Sequence, residues 1–461
     1  MLDGVTWLLL ALVLAAPCTS EPTTTVHHRG RSIRVPEDYP SIAEALAASG
    51  PNDRILIGSG TYHERLELPD HDIMLISTDG PEVTMLDGGS NSLRPPLHFR
   101  HPTHGVLRMG PYAGHVTIQG LTIQHGWSNE GGGLRVAGGS VTAKNCHFKR
   151  CDSTFGGGVC VLGGRAELQH CTLVDCGATF GGGVAAITGN VCLANTTIER
   201  CVAQASGGGT WCDNGGTLNA TDCTWRHCHA SQAGGLGIQG RVCLEKCSVQ
   251  HCRSDGYGGG LQLTAAASGA LRSVKFDENQ AAKGGGIAVA AGADLTGEHV
   301  VITACSADQG GGLSTLGCSS FRHLTIRACN ADAIGGAIAL GRAHPQANLD
   351  ITHSTLEHNH AQYGAAIYGD PTGALTLVNA VLAHNHAEAQ GGGVHLHGVD
   401  CTLKDVHFTD NRSANTTDVF FRDGRLFLNN VTRVGPVFGI QAFSLDGPNL
   451  EVRLGAPASR H

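Results

Sequence analysis

Apolar positions in this chain recur on a long period, far longer than the pitch of a helix. Eleven glycine clusters begin at Gly131, Gly156, Gly181, Gly207, Gly234, Gly258, Gly284, Gly310, Gly335, Gly364 and Gly391, spaced 24 to 29 residues apart. Each is followed by short alternating stretches such as Leu134-Arg135-Val136 and Val141-Thr142-Ala143. Each repeat then places an apolar residue three positions before a Cys or Asn. That Cys/Asn column is Cys151, Cys176, Cys201, Cys228, Cys252, Asn279, Cys305, Cys329, Asn359, Asn385 and Asn411. The −3 column runs from Phe148, Leu173 and Ile198 to Leu356, Leu382 and Phe408, and is apolar throughout. The −5 column (Cys146, Cys171, Thr196 and onward to Val406) is small or apolar. Alternation places −5 and −3 inward on one strand. A fixed period in this range signals one unit stacked on itself. Three short strands and three turns per repeat predict an all-β fold, a single right-handed parallel β-helix of about 25 residues per coil.

The ends depart from the repeat. Ser41-Ile42-Ala43-Glu44 reads as a capping box opening a short helix that closes at Gly50. This is the cap an open solenoid end requires. The expected organisation is a signal peptide at 1–20, a linker at 21–31, a cap and first coils at 32–100, the β-helix at 101–440 and a tail at 441–461. The leader reading rests on the ten apolar residues Trp7–Ala16, too few to span a bilayer. It implies a secreted or surface-held protein with no transmembrane segment.

Glycine is 66 of 461 residues and charged residues only 15%, which excludes long helices. A net charge of −8 with no basic stripe argues against nucleic acid. The 18 cysteines fall mostly in the two columns. Equivalent Cβ vectors stacked one strand spacing apart make poor disulfides. The columns therefore read as reduced packing residues, with some paired thiols as the alternative.

Several segments carry a resemblance. Ile33-Arg34-Val35-Pro36, Tyr39-Pro40-Ser41-Ile42-Ala43-Glu44-Ala45, Asp53-Arg54-Ile55-Leu56-Ile57, Gly60-Thr61-Tyr62 and Glu64 resemble the N-terminal segment of the pectate-lyase-like right-handed β-helix superfamily. Phe276-Asp277-Glu278-Asn279, Phe408-Thr409-Asp410-Asn411 and Gly335-Gly336-Ala337-Ile338 resemble repeats of polymorphic outer membrane proteins. The resemblance implies the fold. It leaves activity open, because the superfamily holds lyases, hydrolases, epimerases, esterases, tailspikes and adhesins. The Gly-His-Gly and paired-Asp signature of its polygalacturonases finds no counterpart here. Neither does the Gln/Asp/Asp/Arg set of its methylesterases.

Candidate chemistry lies beside the Cys/Asn column. Arg150, Asp175 and Arg200 fall at one position of three successive repeats, a row suited to gripping an acidic sugar or forming a surface salt-bridge stack. His358, His360, His384 and His386 flank two successive Asn residues and are candidate metal ligands, or a solvated histidine row. Trp127, Trp211, Phe155, Phe180, Tyr257 and Tyr363 are candidate sugar-stacking aromatics. Of the sequons at Asn195, Asn219, Asn411, Asn415 and Asn430, Asn411 is expected to be buried. The leading expectation is a non-catalytic β-helix presenting an extended surface to a polysaccharide, cell-surface or protein ligand. The alternative is a carbohydrate-active lyase, hydrolase or epimerase, which as a lyase would need Ca²⁺. Near-uniform repeat lengths favour binding, since an enzyme groove calls for long inserts at one corner.

Overall fold

Each repeat closes into one coil because its apolar residues share an inward face and glycines let the chain turn. In the computed structural model, the coil beginning at Gly131 contains strands Leu134–Val136, Ser140–Lys144, His147–Lys149 and Asp152–Phe155. The structure describes residues 30–89, 105–213, 215–341, 348–370, 373–414 and 418–432, together with the backbone of 449–454. The expected leader, most of the linker, most of the tail and Asn415 lie outside these residues. Among the described residues, no helix is long and apolar enough to cross a membrane.

The chain is a right-handed parallel β-helix, a solenoid of about 14 turns with around 26 residues per coil. It falls into two units. The N-terminal unit runs to Gln204 and adds Gly208–Thr224 and Gly240–Glu245. The C-terminal unit takes Ala205–Gly207, Trp225–Gln239 and the chain from Lys246 onward.

Within the N-terminal unit, strands pair in parallel so that equivalent letters stack: Leu134 on Val159, Val141 on Ala166, and Phe148 on Leu173. The C-terminal unit does the same, with Leu356 on Leu382 and Leu382 on Phe408. Every residue of the −3, −5 and Cys/Asn columns is buried. Trp225 and Phe148 are among the largest fully buried side chains. Burial of this much apolar surface is the main force closing the coils.

Two sequence expectations need correction. Most coils hold four strands rather than three, and −5 and −3 do not share a strand in most coils. The cause is a pair of left-handed corners at the −6 and −1 positions. Asn145 (φ 49°) separates two strands and Arg150 (φ 51°) separates the next two. In three C-terminal coils the first two of these strands run together, as in Asn348–Glu357, although His353 keeps its φ of 53°. The glycine clusters supply the opposite corner. Gly131 has φ 65°, and a Cβ on Gly132 would sit 2.6 Å from the Asp152 carbonyl oxygen and 2.7 Å from that of Gly157 in the next coil. In one repeat the left-handed position is Ala233 (φ 55°), so that cluster starts one residue before Gly234.

Helix α1 spans Ile42–Ala47, with Ser41 Oγ accepting from Glu44 N at 3.2 Å. Two more N–H groups of the first turn are capped from outside the helix. Glu64 accepts from Ile42 N (3.0 Å) and Ala43 N (2.8 Å). The helix ends at Ala48 in right-handed conformation rather than at a left-handed Gly50. Asp53 anchors this cap. Burial opposes its charge, but hydrogen bonds from Gly50 N and Arg31 outweigh that and hold the carboxyl below its ordinary value. At the other end, Asn449–Leu454 pairs antiparallel with Gly424–Asn429 and covers that strand's edge.

Candidate functional site

The middle residue of each strand following a glycine cluster points away from the core, because strand neighbours alternate. In the N-terminal unit parallel pairing puts these outward residues in one row: Glu67, Arg108, Arg135, Cys160, Ala185 and Trp211. A second row precedes the glycines: Glu130, Phe155 and Phe180. The left-handed glycine between them folds one row towards the other.

At one end of this trough Arg135 Nε donates to Glu130 Oε2 at 2.8 Å, and Arg108 Nη1 to Glu67 Oε1 at 3.1 Å. The middle is apolar. Phe155 and Phe180 stack at 5.5 Å between centroids, and Trp211 lies 5.8 and 5.0 Å from them. Both phenylalanines, with Leu162 and Ile187, pack over buried Cys160, Ala185 and Trp211. Burial, with Glu130 adding to it, pushes the Cys160 thiol up to about 12. It is a neutral packing group. The indole Nε1 of Trp211 is buried without a hydrogen-bond partner, an uncommon state for a native donor.

The same corner in the C-terminal unit is also aromatic. Tyr368, His395 and Phe420 stack along the outward row, at 5.1 and 4.3 Å, with Tyr363 edge-on to His395 at 5.6 Å. Burial, helped by His397, lowers the His395 pKa to about 4, and its Nδ1 has no partner.

The expected site residues fall elsewhere. Asp175 and Arg200 meet, with Arg200 Nε 2.8 Å from Oδ1 and Nη2 3.3 Å from Oδ2, and Arg200 also contacts Glu199. Arg150 forms no ion pair with Asp175. His358 and His384 stack at 4.9 Å, and His360 meets His386 edge-on at 5.3 Å. Among the described residues, no group of three or more His, Cys, Asp or Glu side chains is placed to hold a metal ion. The trough does not fit Ca²⁺ either, since its carboxylates Glu67 and Glu130 face arginines. These −1 residues share a structural cause. They all occupy the left-handed corner, with φ of 50–55°, where Asn, Asp and His are enriched.

Phe155, Phe180 and Trp211 do come together, as a corner cluster. Trp127, half-buried, lies in the strand pairing with Asp152–Phe155, and exposed Tyr257 carries Lys283 Nζ over its ring at 5.8 Å. The arginine row was missed because its members share no chemistry. Their common position after the glycines was the available signal.

The cysteine columns are reduced. None of the 17 described cysteines forms a disulfide, and nearly all are buried. Asn411 is 4% exposed and sits in the ladder, as expected of a sequon that is not a surface site.

The family described as right handed beta helix region matches residues 158–331. No curated protein matches the chain. Among solved structures the chain is similar to a mannuronic acid specific polysaccharide family 6 lyase from human gut microbiota: 13% identity, 82% of this chain, 86% of that one, TM-score 0.45. It is also similar to a family 28 exopolygalacturonase of Yersinia enterocolitica: 11% identity, 88% and 79% covered, TM-score 0.32. The receptor binding domain of the siphovirus 9NA tailspike is a third: 10% identity, 90% and 78% covered, TM-score 0.32. The class is defined by the stacked coils themselves: a right-handed parallel β-helix protein.

Proposed function

We propose that this protein is an exported β-helix that binds an acidic glycan in the N-terminal trough and does not cleave it. The observation that carries the reading is the single row Arg108–Arg135–Cys160–Ala185–Trp211, flanked by Glu130, Phe155 and Phe180. Guanidinium groups recognise carboxylates by paired charge-assisted hydrogen bonds. Aromatic faces next to them take the apolar face of a sugar ring. Arg135 keeps its terminal nitrogens without a partner among the described residues, and the unmet indole donor of Trp211 lies in the same cluster. The coil spacing sets the two chemistries a few strand widths apart, the span of a short oligosaccharide.

The test is calorimetric titration with trigalacturonate. Binding to the parent chain and at least about tenfold weakening in Arg135→Gln, or about 1.4 kcal/mol, support the reading. Equal affinity in a folded Arg135→Gln, or in Trp211→Ala, overturns it. The catalytic alternative rests on Glu67 and Glu130 beside the arginines. Release of unsaturated or reducing ends from polygalacturonate, abolished by Glu130→Gln, would replace the binding reading with it.

A further inference from the structure

The C-terminal unit carries a different surface. Its left-handed −6 corner holds His299, His323 and His353 in three successive coils. The rings of His299 and His323 stack at 4.7 Å, and His323 meets His353 at 5.4 Å. His299 and His353 are exposed and His323 half-buried. Five residues on, at the −1 corner, exposed His358 and His384 form a second stack at 4.9 Å. The left-handed backbone alone does not demand this. Asn or Asp would satisfy it equally, and Asn379 continues the column in the next coil, 3.4 Å from His353 Nε2.

The charges that face the column are balanced. On the strand before the corner, Arg272 pairs with Glu298 at 3.6 Å, and Arg322 Nε lies 3.4 Å from His323 Nε2. On the strand after it, Lys275 is paired with Asp277 at 3.1 Å, while Arg327 and Glu357 stand one coil apart. Asp350, half-buried, accepts from Asn348. Glu278 faces His251 (3.4 Å) and Asp410 faces His384 (3.8 Å). Among the described residues, none of His299, His323 or His353 has a carboxylate partner. The whole chain carries −8 with its 26 histidines neutral. Charging all of them alone would take it to +18 (−8 + 26).

We infer that this imidazole strip is a docking surface for an anionic polysaccharide, engaged when the medium turns mildly acidic. Imidazole is the side chain that mild acid can turn from neutral to cationic. Rings held one coil apart then repel one another, and a polymer with regularly spaced negative groups along the solenoid axis relieves that repulsion. The spacing is the strand repeat of ~4.8 Å, on the scale of one sugar unit. The residues beside the column, Val301, Thr325 and Thr355, offer no ring on which a base could stack, so a sugar polymer fits better than single-stranded nucleic acid. The strip differs from the trough in place and in pH dependence, and it stands if the trough reading fails.

The experiment measures binding of the full chain to immobilised dextran sulfate at pH 5.5 and 7.5, with circular dichroism confirming the fold at both. The expected result is at least tenfold tighter binding at pH 5.5. That gain is lost in His299→Gln/His323→Gln/His353→Gln and kept in Arg135→Gln. Equal binding at the two pH values, or a full pH gain in the triple variant, overturns the proposal. Single-stranded DNA bound at pH 5.5 as tightly as dextran sulfate also overturns it.

Discussion

The two units build the same corner from different side chains. In the N-terminal unit the column is Cys151, Cys176 and Cys201. The Cys176 thiol reaches the Phe148 carbonyl at 3.6 Å and the Val174 carbonyl at 3.5 Å, both long, weak contacts. In the C-terminal unit it ends as Asn359, Asn385 and Asn411. Asn385 Nδ2 donates to the Leu356 carbonyl, the equivalent acceptor, at 2.9 Å and to Asn411 Oδ1 at 2.9 Å. Its Oδ1 accepts from Asn359 N and Nδ2, both at 3.0 Å. Asn411 passes the chain on to buried Asp418 at 2.9 Å. The difference teaches that the corner needs a small side chain and a left-handed neighbour, which either residue provides. A continuous amide ladder adds a buried network whose members depend on one another. A thiol column is a packing column; the hydrogen bond shared with Cys176, and then burial, hold the Cys151 thiol well above its ordinary value.

Breaking the ladder should therefore have the largest effect. Asn385→Ala orphans several buried groups at ~1–3 kcal/mol each; a loss of about 4 kcal/mol is expected by denaturant unfolding. Cys176→Ala, at the equivalent place in the other unit, should lose about 1–2 kcal/mol, the cost of a small cavity. Equal losses would erase the distinction.

The corner clusters supply the next contrast. In the C-terminal unit, buried His395 has a folded-state pKa of about 4 against an ordinary ~6.5. The fold favours the neutral ring, so its contribution is complete above pH ~6.5 and is lost as pH falls towards about 4. The loss reaches up to about 3 kcal/mol. The Phe155–Phe180–Trp211 cluster has no such group. Hydrogen exchange should show acid loosening around Val394–His397 but not around Thr210–Cys212, and His395→Phe should abolish it. Smaller still, Ala328 holds φ 53° without the side chain that favours it. Ala328→Gly should stabilise by about 1 kcal/mol in a thermal melt. The exposed Arg200–Asp175 pair should matter least, with Arg200→Ala changing stability by under ~0.5 kcal/mol.

Much of this architecture was legible in the chain. Like residues recur at buried columns, so Phe148, Leu173 and Ile198 could be aligned by eye and all three lie in the core. The corners were less legible. Left-handed backbone accepts Asn145, Arg150, Lys246 and Ala304 alike, so no letter marked them, and their surface chemistry drew attention as a possible site. The trough was hidden for the opposite reason. Arg135, Cys160, Ala185 and Trp211 look unrelated in sequence, and only parallel pairing makes them a row. Glu64, which caps α1 from 21 residues away, shows the same limit: its role depends on a contact that no local pattern encodes.

The most direct test of the trough is a crystal structure with trigalacturonate bound. The account predicts a uronate carboxylate within ~3 Å of the Arg108 or Arg135 guanidinium and a sugar ring against the Phe155–Phe180 edge. An occupied trisaccharide lying elsewhere on the solenoid, with Arg108 and Arg135 still paired with Glu67 and Glu130, would contradict it.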